Sequence, residues 1–163
     1  MVALLSFVGV SAAPPPKVPP KPKVSIMSLP PFERAIAIIK RYETIHQLRH
    51  KPYYGYGHRI LPGERLPQHR PLTEKEADRL LRKDLRKFMA YFKSFRPSDQ
   101  LLLGVLAYNI GPGAVQKSTV YKKLKRGSRD IYQNYVAHCR YKGKFHRQLH
   151  ERRCIEFAAL FIP

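Results

Sequence analysis

Glu43 stands where a carboxyl group can do acid–base work. Pro31 opens an amphipathic stretch in which Phe32, Ala35, Ile36 and Ile39 recur at helical spacing, and the next turn of that face brings in Glu43. A carboxyl at the C-terminal end of a helix, on the side that packs inward, is disfavoured as an anion by apolar neighbours and by the helix dipole. Such a group is disposed to keep its proton, as a general acid must. The other reading is a helix-end glutamate turned into solvent. Further along, Tyr53-Tyr54-Gly55-Tyr56-Gly57-His58 interleaves glycines with tyrosines. The glycines permit close backbone approach, and the flat tyrosine faces stack on sugar rings as readily as on bases. A glycine-bearing hairpin with core tyrosines is the alternative.

Other chemistries find less support. His46 and His50 are four apart in an irregular segment, and His146 and His150 share a helix face. Neither pair has the third ligand that catalytic zinc requires, so no metal and no cofactor is expected. There is no phosphate loop, cysteine zinc pattern or serine nucleophile elbow. Cys139 and Cys154 could pair in an exported chain or serve as small buried hydrophobes.

Taken together, several of these residues resemble the successive blocks of phage-type lysozymes, glycoside hydrolase family 24. The blocks are Glu43, then Gly55-Tyr56-Gly57-His58, then Leu106-Ala107-Tyr108-Asn109-Ile110-Gly111-Pro112-Gly113-Ala114 with Ser118, Thr119 and Leu124, and finally Arg152-Arg153 with Glu156 and Phe161. They run in order over roughly residues 31–162. The resemblance implies cleavage of the β-1,4 MurNAc–GlcNAc backbone of peptidoglycan with Glu43 as general acid. It also implies a glycan cleft lined by Tyr54, Gly55, Tyr56, Gly57, His58, Asn109, Gly111, Ser118 and Thr119. One departure matters. In the family an Asp follows the Glu and a Thr precedes the Gly-x-Gly-His element, but those places fall near Gln47 and on Tyr53. No acid occurs between Glu43 and Glu64. Glu64 is then the nearest candidate for a second catalytic acid in a two-carboxylate glycosidase. Alternatively a single Glu suffices, as in a lytic transglycosylase, where the sugar's own 6-hydroxyl attacks. The third possibility is a domain that binds glycan without cleaving it.

The elements that must position these residues read as α+β, mainly α, with one small β or loop element near the start; the resemblance implies a lysozyme-like fold with a small N-terminal β or loop lobe, a long linking helix and a helical C-terminal lobe. From Thr44 to Pro71 the helical period is lost, which suits loops and a short hairpin. Thr73 and Glu76 form a capping box that starts the linking helix, whose apolar side carries Ala77, Leu80, Leu81, Leu85, Phe88, Met89 and Phe92. Its other side is basic, with Arg82, Lys83, Arg86 and Lys87. Pro97-Ser98-Asp99 opens a nearly all-apolar helix to Ile110, the expected centre of the domain. Ser118 caps a short helix through Leu124, and Ser128 another carrying Ile131, Tyr132, Tyr135, Val136 and Cys139. The last helix is expected from about His146 to Phe161.

The chain's 31 Lys and Arg against 11 Asp and Glu give a net charge of +20 over 163 residues. That length suits one domain. Residues 1–13 read as a signal peptide, apolar and ending in Ser11-Ala12-Ala13, although no basic residue precedes Lys17. Residues 14–29 read as a proline-rich tether and 30–163 as the domain, which keeps +17 because only Lys17, Lys21 and Lys23 precede it. The apolar run Val2–Val10 is too short to span a bilayer. The expectation is a secreted or periplasmic monomer that meets peptidoglycan strands in an anionic cell envelope. Lys122-Lys123-Leu124-Lys125-Arg126 and the basic helix face could instead bind phosphates, but no nucleic-acid motif accompanies them, so no specific nucleic acid is expected.

Overall fold

The structure, a computed structural model, describes residues 25–67 and 69–163. The expected signal peptide and most of the tether lie outside the described residues. The fold is built around α3 (Pro97–Ile110), in which every residue from Leu101 to Ala107 is buried. A helix apolar on all faces has to be enclosed on all faces. α1 (Pro31–Tyr42), α2 (Glu74–Ala90), α4 (Pro112–Lys117) and α7 (Arg147–Leu160) enclose it. α2 crosses α3 at Gly104, where an added Cβ would stand 2.7 Å from Met89 Cγ and 3.3 Å from Met89 Cα. Phe92, expected on the linking helix, lies just past its end but is fully buried. The capping box forms as expected: Thr73 accepts from the Glu76 N–H, and Glu76 accepts from the Thr73 N–H at 2.8 Å.

The basic face of α2 is less free than its sequence suggests. Arg82 forks onto both oxygens of Glu33 in α1, at 2.6 and 2.8 Å, and its Nε reaches Asp78 at 2.6 Å. Lys40 joins Asp78 at 2.6 Å. These pairs bind α1 to α2 and remove Arg82 from the surface available to phosphates.

The expected hairpin is β1 (Tyr53–Tyr54) against β2 (His58–Arg59), antiparallel, with Tyr54 opposite His58. Gly55 turns the chain at φ 51°, and its Cα faces α2 so closely that a Cβ would lie 3.3 Å from Ala77 Cβ. A side chain there would be both strained and crowded.

The C-terminal lobe differs from expectation after Ile131. Here α5 (Thr119–Lys125) is followed by α6 (Tyr132–Val136), which is short. The chain beyond it makes a second hairpin, β3 (Arg140–Tyr141) against β4 (Lys144–Phe145). Lys142 at φ 49° and Gly143 at φ 77° form its turn, and two successive left-handed residues suit a tight hairpin, not a helix. His146 caps α7 and is not its first residue: its Nδ1 accepts from the Leu149 N–H at 3.4 Å. Cys139 and Cys154 are both free thiols.

Candidate active site

Glu43 is the residue that ends α1, its N–H still bonded to Ile39 O at 2.8 Å. The helix therefore holds its backbone while the side chain leaves the apolar face. Its surroundings are not the purely apolar ones that the helical spacing implied. Arg152 of α7 donates to Glu43 Oε1 at 2.6 Å. Behind it lies a buried network: Arg152 Nε donates to Glu156 Oε1 at 2.8 Å, and Arg153 donates to Glu156 Oε2 at 2.7 Å. Tyr135 OH donates to the same Oε2 at 2.9 Å. The other arm of Arg153 donates to Asn109 Oδ1 at 2.9 Å. Burial opposes the charge on Arg152, but Glu156 and Glu43 outweigh it and hold the guanidinium more firmly protonated than usual. Burial likewise pushes the Tyr135 hydroxyl far up, so it remains a donor.

With Oε1 engaged by Arg152, Oε2 is the carboxyl oxygen left free of side-chain partners among the described residues. That oxygen faces the hairpin, 3.8 Å from where a Cβ on Gly57 would be. Glycine here lets the backbone approach the carboxyl. Glu43, His46, Tyr53, Gly57, Tyr108 and Asn109 enclose a cavity of about 250 Å³. A second cavity of about 360 Å³ shares Tyr53, Gly57 and Tyr108, and extends past His58 and Asp84 to Phe88, Tyr91, Gly111 and Pro112. Together they make a trough between the hairpin and the α2–α3 pair, with tyrosine faces along it. Tyr108 donates its hydroxyl to Tyr56 O at 2.7 Å, which ties α3 to the hairpin. Burial raises the Tyr108 hydroxyl well above its ordinary value and keeps that bond intact.

Of the residues expected in the cleft, Gly57, His58, Asn109 and Gly111 line one or other cavity. Tyr54 and Tyr56 are core side chains, the alternative reading of those tyrosines. Gly55 serves the hairpin's contact with α2. Ser118 and Thr119 line neither cavity; Ser118 caps α5, accepting from the Tyr121 N–H at 3.2 Å. His58 is fixed between two carboxylates, Nδ1 against Asp84 and Nε2 against Glu64, each at 2.7 Å. Both ring nitrogens face carboxylate oxygens, which favours the doubly protonated ring; the Asp84 bond chiefly raises its pKa, burial opposes and Glu64 assists. Glu64 also accepts from the Leu61 N–H at 2.9 Å and lines neither cavity. That backbone bond first, then His58, lowers its pKa.

Sequence reasoning overlooked Tyr53, Tyr108 and His46 as cavity residues. Strand alternation was a usable signal for Tyr53: with Tyr54 facing the core, its neighbour must face out. Tyr108 lay beside Asn109 in a block already singled out. His46 had no such signal, because its place depends on an isolated bridge to Gly55 across the loop.

A small hairpin lobe, a long helix and a helical lobe around a tyrosine-lined trough, with the Glu43 carboxyl at its edge, define a lysozyme-like fold. A sequence profile of the phage lysozyme family matches residues 40–156, and the chain belongs to that family. It is a glycosidase of the class that hydrolyses peptidoglycan. Among solved structures, the muramidase domain of SpmX from Asticaccaulis excentricus is similar at 22% identity and a TM-score of 0.64, covering 79% of this chain and 95% of that one. The endolysin of the Escherichia coli O157:H7 phage FAHEc1 is similar at 21% identity and TM-score 0.65, over 82% and 94% of the two chains. A point-mutant form of P22 lysozyme is similar at 19% identity and TM-score 0.62, over 78% and 95%. No curated protein matches the chain in sequence.

Proposed function

We propose that this chain cleaves the β-1,4 MurNAc–GlcNAc backbone of peptidoglycan with Glu43 as general acid. One observation carries the reading: Arg152 occupies Oε1, which leaves Oε2, beside Gly57, to present a proton to the cavity. A glycan strand would lie along the trough, its sugar faces against Tyr53 and Tyr108. The work would be done as an exported monomer in an anionic envelope, to which a domain of +17 adheres through its charge. Metal and cofactor are not part of the proposal; among the described residues no group of three His, Cys, Asp or Glu is disposed to hold a metal. No described helix is long and apolar enough to cross a membrane.

A second reading rests on a specific feature: among the described residues Glu43 is the one carboxylate lining the smaller cavity, and Asp84 in the adjoining cavity is bonded to His58. A single glutamate acting first as acid and then as base would make the chain a lytic transglycosylase. Glu64 is a weaker candidate for a second acid, since its Oε2 is held by both His58 and the Leu61 N–H. Purified protein incubated with peptidoglycan should release muropeptides, and Glu43→Gln should abolish the release. Mass spectrometry of the products decides between the readings: reducing MurNAc ends mean hydrolysis, and 1,6-anhydro-MurNAc ends mean transglycosylation. No release at all would make the domain a glycan-binding module.

A further inference from the structure

A hydrolase needs a group to activate water, and the cavity around Glu43 offers one that is not a carboxylate. His46 lines that cavity, and its ring is locked to the hairpin. The His46 N–H donates to Gly55 O at 2.8 Å, and Nδ1 meets the same carbonyl oxygen at 3.1 Å. A carbonyl only accepts, so Nδ1 carries the hydrogen. The proton-free nitrogen of the neutral ring is then Nε2, which bonds to no described residue. Rings on two sides restrain the imidazole further: His50 edge-on with centroids 5.3 Å apart, and Tyr53 at 6.0 Å. The remaining side chains on the cavity cannot substitute. Tyr108 is committed to Tyr56 O, Asn109 to Arg153, and a phenol such as Tyr53 carries its own proton.

We propose that His46 is the second catalytic residue, its Nε2 taking the proton of the water that attacks C1 while Glu43 protonates the leaving oxygen. The inference rests on the glycosidase reading of Glu43. The step balances. The C1–O4 bond breaks and a C1–OH bond forms on the opposite face of the ring. One proton passes from Glu43 Oε2 to O4, and one passes from water to His46 Nε2. Return of the imidazolium proton to the carboxylate through solvent resets the site. A histidine thus stands in for the acid that the family places near Gln47, and the configuration at C1 inverts.

The test uses the purified chain and soluble peptidoglycan fragments. His46→Ala should lower turnover roughly 100- to 10,000-fold, the range a positioned base supplies, in a protein that still melts cooperatively. Azide needs no base to attack C1. Adding it should restore cleavage by His46→Ala, yield an α-glycosyl azide, and do nothing for Glu43→Gln. His46→Gln, which keeps a polar side chain of similar size, should be equally slow. The first-formed product of the wild type should be the α-anomer by proton NMR. Near-wild-type turnover in both variants overturns the inference, as does a folded His46→Ala that azide cannot rescue. A β-anomeric or 1,6-anhydro product also overturns it while leaving Glu43 in place. Absence of cleavage by the wild type fells the glycosidase reading itself, and the inference with it.

Discussion

Two ionic nodes flank the trough, a buried one in the helical lobe and a partly exposed one beneath the hairpin, and they are built from different chemistry. In the helical node Arg152 and Arg153 converge on Glu156, with Tyr135 as a third donor, and the outer arms of the arginines reach Glu43 and Asn109. In the hairpin node a single histidine spans Asp84 on α2 and Glu64 in the loop after β2. Guanidinium groups keep their charge at every working pH. Imidazole does not. The cations of the acid-bearing wall therefore keep their charge as pH rises, whereas the cation that anchors the hairpin wall is one that a rise in pH can discharge.

The largest effect should come from breaking the helical node. Glu156 is 0% exposed, as is Arg153, and Arg152 is nearly so. Removing its charge by Glu156→Gln leaves two buried guanidiniums short of a counter-charge, for which a loss of about 3–5 kcal/mol is expected. Denaturant unfolding measures it. Cleavage should fall in the same variant under folding conditions, because Arg152 and Arg153 then lose the partner that aims them at Glu43 and Asn109. A loss under about 1 kcal/mol would mean that the node positions side chains without supporting the fold.

Asp84→Asn should cost less, about 1–3 kcal/mol, since it weakens one charge-assisted bond and leaves Glu64 to compensate. The two nodes also separate by pH. His58 is raised, so its contribution is complete below the unfolded histidine value, near 6.5, and is lost as pH climbs through the raised folded value. Glu64 is lowered, so its contribution is present above the ordinary carboxylate range and is lost as pH falls through its lowered value. Between those limits the hairpin is best anchored. Thermal melts of the wild type should weaken as pH rises from about 6.5 through the raised folded value, and His58→Gln should flatten that slope. Persistence of the same slope in His58→Gln would place the titrating group elsewhere.

These nodes also mark how far the sequence could be read. Helix starts were legible because they depend on neighbours in the chain: Pro31 and Pro97 open α1 and α3, and Thr73 with Glu76 caps α2. The buried identity of α3 followed from its unbroken apolar run. Glu43 could be placed at the end of α1 by counting turns, but not against Arg152, which is 109 residues away. The second hairpin escaped because its strands are two residues long and exposed, with no alternation to detect. His46 escaped for the same reason as Arg152: its chemistry depends on which atom the loop brings to it. The family blocks brought Glu43, Gly57, His58, Asn109 and Gly111 together, which periodicity could not, and they were silent where this chain departs from the family.

The smallest effect is expected at Glu64, where the comparison sharpens most. Its side chain is about a quarter exposed, and His58 keeps Asp84 if Glu64 is neutralised. Glu64→Gln should therefore cost less than about 1 kcal/mol, in the range of partly exposed ion pairs. The amide oxygen can still accept from both the Leu61 N–H and His58 Nε2, so the loop should keep its course. Turnover on peptidoglycan should stay close to wild type, because the carboxylate lines neither cavity of the trough. What should change is the alkaline slope, made shallower because one of the two anions that raise His58 is gone. A loss of turnover comparable to that of Glu43→Gln would reverse the assignment, making Glu64 a catalytic acid and the hairpin node part of the chemistry.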